Sequence, residues 1–185
     1  MKTFREKWLE SVERKNSVLC AGVDPVEFEV KREGLKLPEG TDKVEWALKY
    51  VEAVAPYCAA IKPNSKFWED AKNKGGLGKI LSLAESLGLV KIDDYKLADL
   101  NDTNEAGIYF DEKLNFDALT IAPYGGNMEQ TSALCKKYGI GAITMCLMSN
   151  PEYEREKNML IKIRENDIQD PFKIQYDNQD LLQIQ

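Results

Sequence analysis

The sequence predicts an α/β domain in which parallel strands alternate with helices through right-handed crossovers. Five short, nearly continuous apolar runs are one observation behind this, and segments of helical spacing between them are the second. The third is size and composition: 185 residues, 43% apolar and 30% charged, suffice for one globular domain with a core of its own.

The elements follow in order. Thr3 and Glu6 have the spacing of a capping box, and Phe4, Trp8 and Val12 fall on one face of the helix it would open. SVLCAGVD (17–24) has the continuous apolar character of a strand buried on both faces. In 41–56, Val44, Leu48, Val51 and Ala55 make a helical stripe, with Asp42 as cap and Pro56 as stop. AAIKP (59–63) is the second strand. In 75–88, Leu77, Ile80, Leu81, Ala84 and Leu87 form the next stripe, and Gly88 suits a left-handed position after the helix. GLVKIDD (88–94) and DALTIAP (117–123) are the third and fourth strands. Asn127 with Gln130 reads as a second capping box, for a helix stopped by Gly139, and GAITMCLM (141–148) is the fifth strand. Beyond it NPEYEREKN (150–158) suits a short helix opened by Asn150 and Pro151. The predicted organisation is a domain over 1–165 and an irregular polar tail over 166–185, rich in Asn, Gln and Asp.

Composition narrows the function classes. A formal charge of −6, without any block of Lys or Arg, argues against nucleic acid as a partner. No apolar run approaches the roughly 20 residues that cross a bilayer, and MKTFREKWLE lacks the apolar core of a signal peptide. Cys20, Cys58, Cys135 and Cys146 are scattered in or beside apolar segments, so buried, reduced thiols and a cytoplasmic location are expected. The chain contains no histidine, which removes the commonest general base and metal ligand together.

The segment DDYKLADLNDT (93–103) concentrates the candidate chemistry. On a strand, Asp94 and Lys96 share a face while Asp93 and Tyr95 turn the other way; Asp99 follows at the turn that leaves the strand. Lys62 closes the strand before, and Asp24 closes the one before that. Three consecutive strands therefore bring a charged group to their carboxyl ends, where the loops of parallel α/β folds converge on a crevice. Lysines beside apolar strand interiors stay ionised when aspartates pair with them. Those same lysines repel a cation, so a metal site is not expected. GGLGK (75–79) fails as a phosphate loop, because Asn73 and Ile80 stand where Gly and Ser/Thr are required; it is read as a helix start.

Asp94-x-Lys96-x-x-Asp99 followed by Thr103 resembles the DxKxxD…T motif of the orotidine 5′-phosphate decarboxylase family. CAGVDP (20–25), AIKPN (60–64), LTIAPYGG (119–126) and CLMSNPEY (146–153) resemble the same family, in the same order, so the likeness spans roughly 3–160. The resemblance implies a cofactor-free lyase on a (β/α)₈ barrel, acting as a homodimer on orotidine monophosphate to give uridine monophosphate in pyrimidine biosynthesis. It assigns Lys62, Asp94, Lys96 and Asp99 to the charged catalytic tetrad, with Asp99 coming from the partner subunit. Asp24 and Thr103 match ribose-contacting positions, and Ser149 matches the residue that reads the pyrimidine. Metal-dependent sugar-phosphate lyases of the same superfamily share DxKxxD, but in them an acidic residue resembling a Mg²⁺ ligand is expected where this chain has Lys62, which favours the decarboxylase.

The chain departs from the family in extent. A full barrel needs eight strands and about 250 residues, and five strands are recognisable here. The family's phosphate-gripping glutamine loop and arginine have no convincing counterpart in 165–185. A partial barrel with exposed sheet edges and an exposed apolar inner face is therefore expected, with weaker affinity and turnover unless another chain supplies the rest. The alternative functions are a non-catalytic truncated fragment or interaction protein, or a metal-dependent sugar-phosphate lyase of the same superfamily.

Overall fold

Every apolar run singled out in the sequence becomes a strand. The computed structural model describes residues 2–28, 36–69 and 75–146, all within one compact unit, Met1–Cys146. The elements are α1 (Phe4–Lys15), β1 (Cys20–Val23), α2 (Lys43–Val54), β2 (Ala60–Pro63), α3 (Gly76–Ser86), β3 (Val90–Leu97), α4 (Asn101–Lys113), β4 (Ala118–Ile121), α5 (Met128–Tyr138) and β5 (Gly141–Thr144). The strands form one sheet in the order β1-β2-β3-β4-β5, and every pairing is parallel. The helix expected at 150–158, the tail 166–185 and Ser149 lie outside the described residues.

Alternation along the strands divides the core in two. Val23 and Ile61 turn outward onto α2 and α3, meeting Ala47, Val51, Ile80, Leu81 and Ala84. Further along the sheet, Leu97, Leu119 and Ile121 pack on Ile108 of α4 and Cys135 of α5. The opposite, inner face carries Ala60, Val90, Ile92 and Ala118, all buried.

That inner face is not left bare as the sequence suggested. Phe4 and Trp8 of α1 pack against it, together with Ile143 of β5. α1 is pinned to the residues just before three strands. Ser11 Oγ donates to the Ala59 carbonyl at 2.7 Å or the Gly88 carbonyl at 3.2 Å, and Lys7 pairs with Asp117 at 2.6 Å. A Cβ at Gly141 would collide with the Phe4 ring, so the glycine lets the helix close on β5. α1 thus covers the amino-terminal end of the inner face and leaves the carboxyl end for a site.

Local signals act as expected, with two exceptions. Thr3 and Glu6 make the full capping box, and Asp42 Oδ1 accepts from the Val44 and Glu45 amides at 2.9 and 3.0 Å. Gly88 takes φ +70° after α3, where a side chain would be strained. The capping box at Asn127 is not formed: this buried side chain donates from Nδ2 to the Asp99 carbonyl at 3.0 Å and ties α5 to the loop after β3. The thiols also divide. Cys58 and Cys135 are buried, while Cys20 and Cys146 are exposed at strand ends, and none is joined to another in a disulfide.

Candidate active site at the strand carboxyl ends

The inward-facing positions above the α1 plug are Lys62 on β2, Asp94 and Lys96 on β3, and Thr120 on β4. Lys62 Nζ bonds Asp94 Oδ2, and Lys96 Nζ bonds the other oxygen, Oδ1. Asp94 is the shielded centre of the group, its side chain 12% exposed against 47% for Lys96. Partial burial works against a charged Asp94. The hydrogen bonds from Lys62 and Lys96 outweigh it and hold the carboxyl below its ordinary value.

Lys96 reaches Asp94 through an irregular backbone rather than the regular alternation read from the sequence. The pairing of β3 with β4 shifts between Asp93 and Leu97, and Lys96 adopts φ +53°. A left-handed lysine costs about 1–2 kcal/mol, so something must hold it there. Thr120 does so: its Oγ1 accepts the Lys96 N–H at 2.8 Å. The same hydroxyl lies 3.2 Å from Asp94 Oδ1 and 3.4 Å from the Asp93 carbonyl, to either of which it can donate.

Asp24 follows β1 directly, and its Oδ1 accepts the Asn64 N–H at 3.1 Å, bracing the end of β2. Partial desolvation raises its carboxyl above the ordinary value, with the Asn64 amide and the Lys62 charge pulling the other way. Asp99 is placed differently. Its Oδ1 accepts its neighbour's amide, Leu100 N–H, at 2.8 Å, and its carbonyl accepts from Asn104 and Asn127. Among the described residues its carboxylate makes no bond to Lys62, Asp94 or Lys96. Thr103 is exposed on the first turn of α4, beside a shallow depression lined by Tyr95, Leu97, Ala98 and Asp99.

The structure therefore brings Lys62, Asp94 and Lys96 together, keeps Asp24 at the neighbouring strand end, and leaves Asp99 and Thr103 apart within one chain. Thr120 went unnoticed in the sequence, although it is the lone polar residue of ALTI and has inward parity. Asn104 also went unnoticed, and Asn127 was read only as a helix cap; both grip the Asp99 carbonyl. Chemically, the cluster is one fixed anion between two ammoniums. Both oxygens that a cation would need are occupied, and among the described residues no group of three His, Cys, Asp or Glu is arranged to hold a metal.

Comparison with known proteins shows the family and the fold. Residues 17–171 match a family described as orotidine 5′-phosphate decarboxylase / HUMPS. An orotidine 5′-phosphate decarboxylase of Nocardioides is 30% identical over 145 residues, covering 72% of this chain and 52% of its own length. That of Phocaeicola vulgatus is 30% identical over 161 residues, covering 79% and 54%. The structure of Leishmania donovani OMP decarboxylase superposes with a TM-score of 0.69 at 23% identity, covering 88% of this chain and 61% of that one, a likeness of fold. The five-stranded sheet is thus part of a (β/α)₈ barrel, and the chain spans about half the length of the curated relatives it matches. By the length of the family match and these identities, the chain belongs to the orotidine 5′-phosphate decarboxylase / HUMPS family.

Proposed function

We propose that this chain carries the decarboxylating centre of an orotidine 5′-phosphate decarboxylase, converting orotidine monophosphate to uridine monophosphate in pyrimidine biosynthesis without a cofactor. The observation that carries the reading is Asp94 held between Lys62 and Lys96. A substrate carboxylate set against the fixed anion of Asp94 is destabilised before reaction. Loss of carbon dioxide leaves a carbanion, and the solvent-facing ammonium of Lys96 stabilises it and delivers the proton. Lys62 keeps Asp94 ionised and oriented. The lysines also favour this chemistry over that of the metal-dependent relatives, since they fill the positions around Asp94 that a divalent ion would take.

In this reading Asp24 and Thr103 contact the ribose, Ser149 reads the pyrimidine, and Asp99 completes the tetrad from a second copy of the chain in a homodimer. The placement of Asp99 supports that last assignment, because its carboxylate does not reach the cluster of its own chain. The α4 surface that follows it exposes Tyr109, Phe110 and Leu114, with Leu100 exposed beside Asp99 itself. Apolar side chains grouped in this way suit a subunit contact.

The test is conversion of orotidine monophosphate to uridine monophosphate by the purified chain, with product identified by mass. Wild type should form product and Lys96→Ala should not. Equal traces of product from both would remove the assignment.

A further inference from the structure

The cluster leaves unused a second pair of acids directly behind it. Asp93 neighbours Asp94 on β3 but turns to the outer face, where it is fully buried, and Asp111 of α4 is buried against it. Asp93 Oδ1 accepts the Ser65 N–H at 3.1 Å. Among the described residues the Oδ2 atoms of Asp93 and Asp111 find no conventional donor, yet the two carboxyls lie within hydrogen-bonding reach of one another. Two buried anions repel in such a contact, whereas one proton between them satisfies both.

We propose that Asp93 and Asp111 share a single proton and that the pair is a positioning device for the catalytic cluster, a role that rests on the decarboxylase reading. Asp111 donates to Asp93, and Asp93 fixes the amide of Ser65, three residues beyond Lys62. The adjacent amide, Asn64 N–H, is held from the other side by Asp24 at 3.1 Å. Consecutive amides at the exit of β2 are thus gripped from β1 and from β3. This fixes the strand end from which Lys62 reaches Asp94. A pair serving only to fasten α4 to the sheet would need no link to Ser65.

The surroundings favour the protonated form. Burial pushes the Asp111 carboxyl up to about 9, with the charge of Asp93 acting in the same direction. Asp93 is raised as well, chiefly by burial and against the Ser65 hydrogen bonds. The other titratable groups bearing on the pair are Asp94 on β3, Lys66 in the turn Ser65–Trp68, and Cys135 on α5. Lys66 is engaged with Glu69 at 3.1 Å and lies over the Tyr95 ring. Neither carboxyl has an ion-pair partner among the described residues.

The experiment uses the full chain, isotopically labelled, with NMR of the aspartate carboxyls, the Lys62 ammonium and the Ser65 amide between pH 6 and pH 10. In wild type one carboxyl should remain protonated at pH 7. As it ionises, Ser65 should lose ~10-fold of its protection and the Lys62 signal should move in step. Asp111→Asn, whose amide donates permanently, should abolish this alkaline change. If the chain is active, wild-type kcat should fall ~10-fold over the same interval with little change in KM, and Asp111→Asn should keep its rate. Two carboxyls titrating near pH 4, a Ser65 amide indifferent to the pair, or an unchanged alkaline limb in Asp111→Asn would overturn the proposal. Absence of turnover in wild type would end the decarboxylase reading instead, while the amide and ammonium signals still decide the pair.

Discussion

Asp94 is the residue on which the site's charge balance turns. Its carboxyl is held below the ordinary value, so its stabilising contribution is complete above the unfolded value of about 4 and disappears as pH falls through the folded one. Thermal melts should therefore show Asp94→Asn well below wild type at pH 7, with the gap closing toward pH 3. A constant gap would mean that Asp94 is not ionised in the folded chain. Asp111 has the opposite sign. Its folded value is raised to about 9, so the stability it lends is full below about 4 and drains away as pH rises toward 9. Asp111→Asn should accordingly gain in Tm over wild type between pH 5 and pH 9, which differential scanning fluorimetry across that range would show. At this scale the sequence was informative where a charge ended an apolar run, as Lys62, Asp94 and Asp24 do. It was silent where the determinant is a backbone angle or a shared proton. Nothing in DDYK marks Lys96 as left-handed, and strand alternation turns Asp93 away from Asp94 without showing that α4 covers it.

Among the elements, α1 does most to make the partial sheet workable. It buries Phe4 and Trp8 on an inner face that five strands alone would expose, and Ser11 spends its hydroxyl on the strand edge below. Ser11→Ala removes a buried donor and leaves the Ala59 carbonyl without it, a loss of about 1–2 kcal/mol. Chemical denaturation should show that loss as a lower midpoint with an unchanged slope. A midpoint equal to wild type would mean that α1 is not docked as described. The helix was legible from Thr3, Glu6 and its apolar face, but its docking surface was not, because a stripe of Phe4, Trp8 and Val12 names no partner. α4 shows the converse. Its buried positions include Asn104, Ile108 and Asp111, at helical spacing, but two of the three are polar and no apolar stripe marks the helix. Those polar residues are occupied in holding the Asp99 loop and Asp93. The chemistry that makes α4 useful is what hides it from a hydrophobic pattern.

For the whole molecule, the proposed function draws Asp99 from a second copy of the chain. If Asp99 serves the partner's cluster, Lys96→Ala and Asp99→Asn should each be inactive alone. Mixed after dissociation, random pairing restores one intact site in each hybrid dimer, or about a quarter of the wild-type sites. Activity in the mixture equal to the sum of the separate variants would place Asp99 in its own chain's site or outside the site altogether. The parallel order of the five strands was legible from the spacing of apolar runs, because buried parallel strands tolerate few polar residues. The exposed apolar surface of α4 was not, since Tyr109, Phe110 and Leu114 are unremarkable in a sequence and become a patch only once α4 is placed.

The central claim is that Lys62, Asp94 and Lys96 act together as one alternating-charge centre. It is tested most directly by following the ultraviolet absorbance of orotidine monophosphate with wild type, Lys62→Ala, Asp94→Asn and Lys96→Ala side by side. Wild type should deplete the substrate, and each variant should be slower by ~100-fold or more. Depletion by all four chains at one rate, or by none, would contradict it.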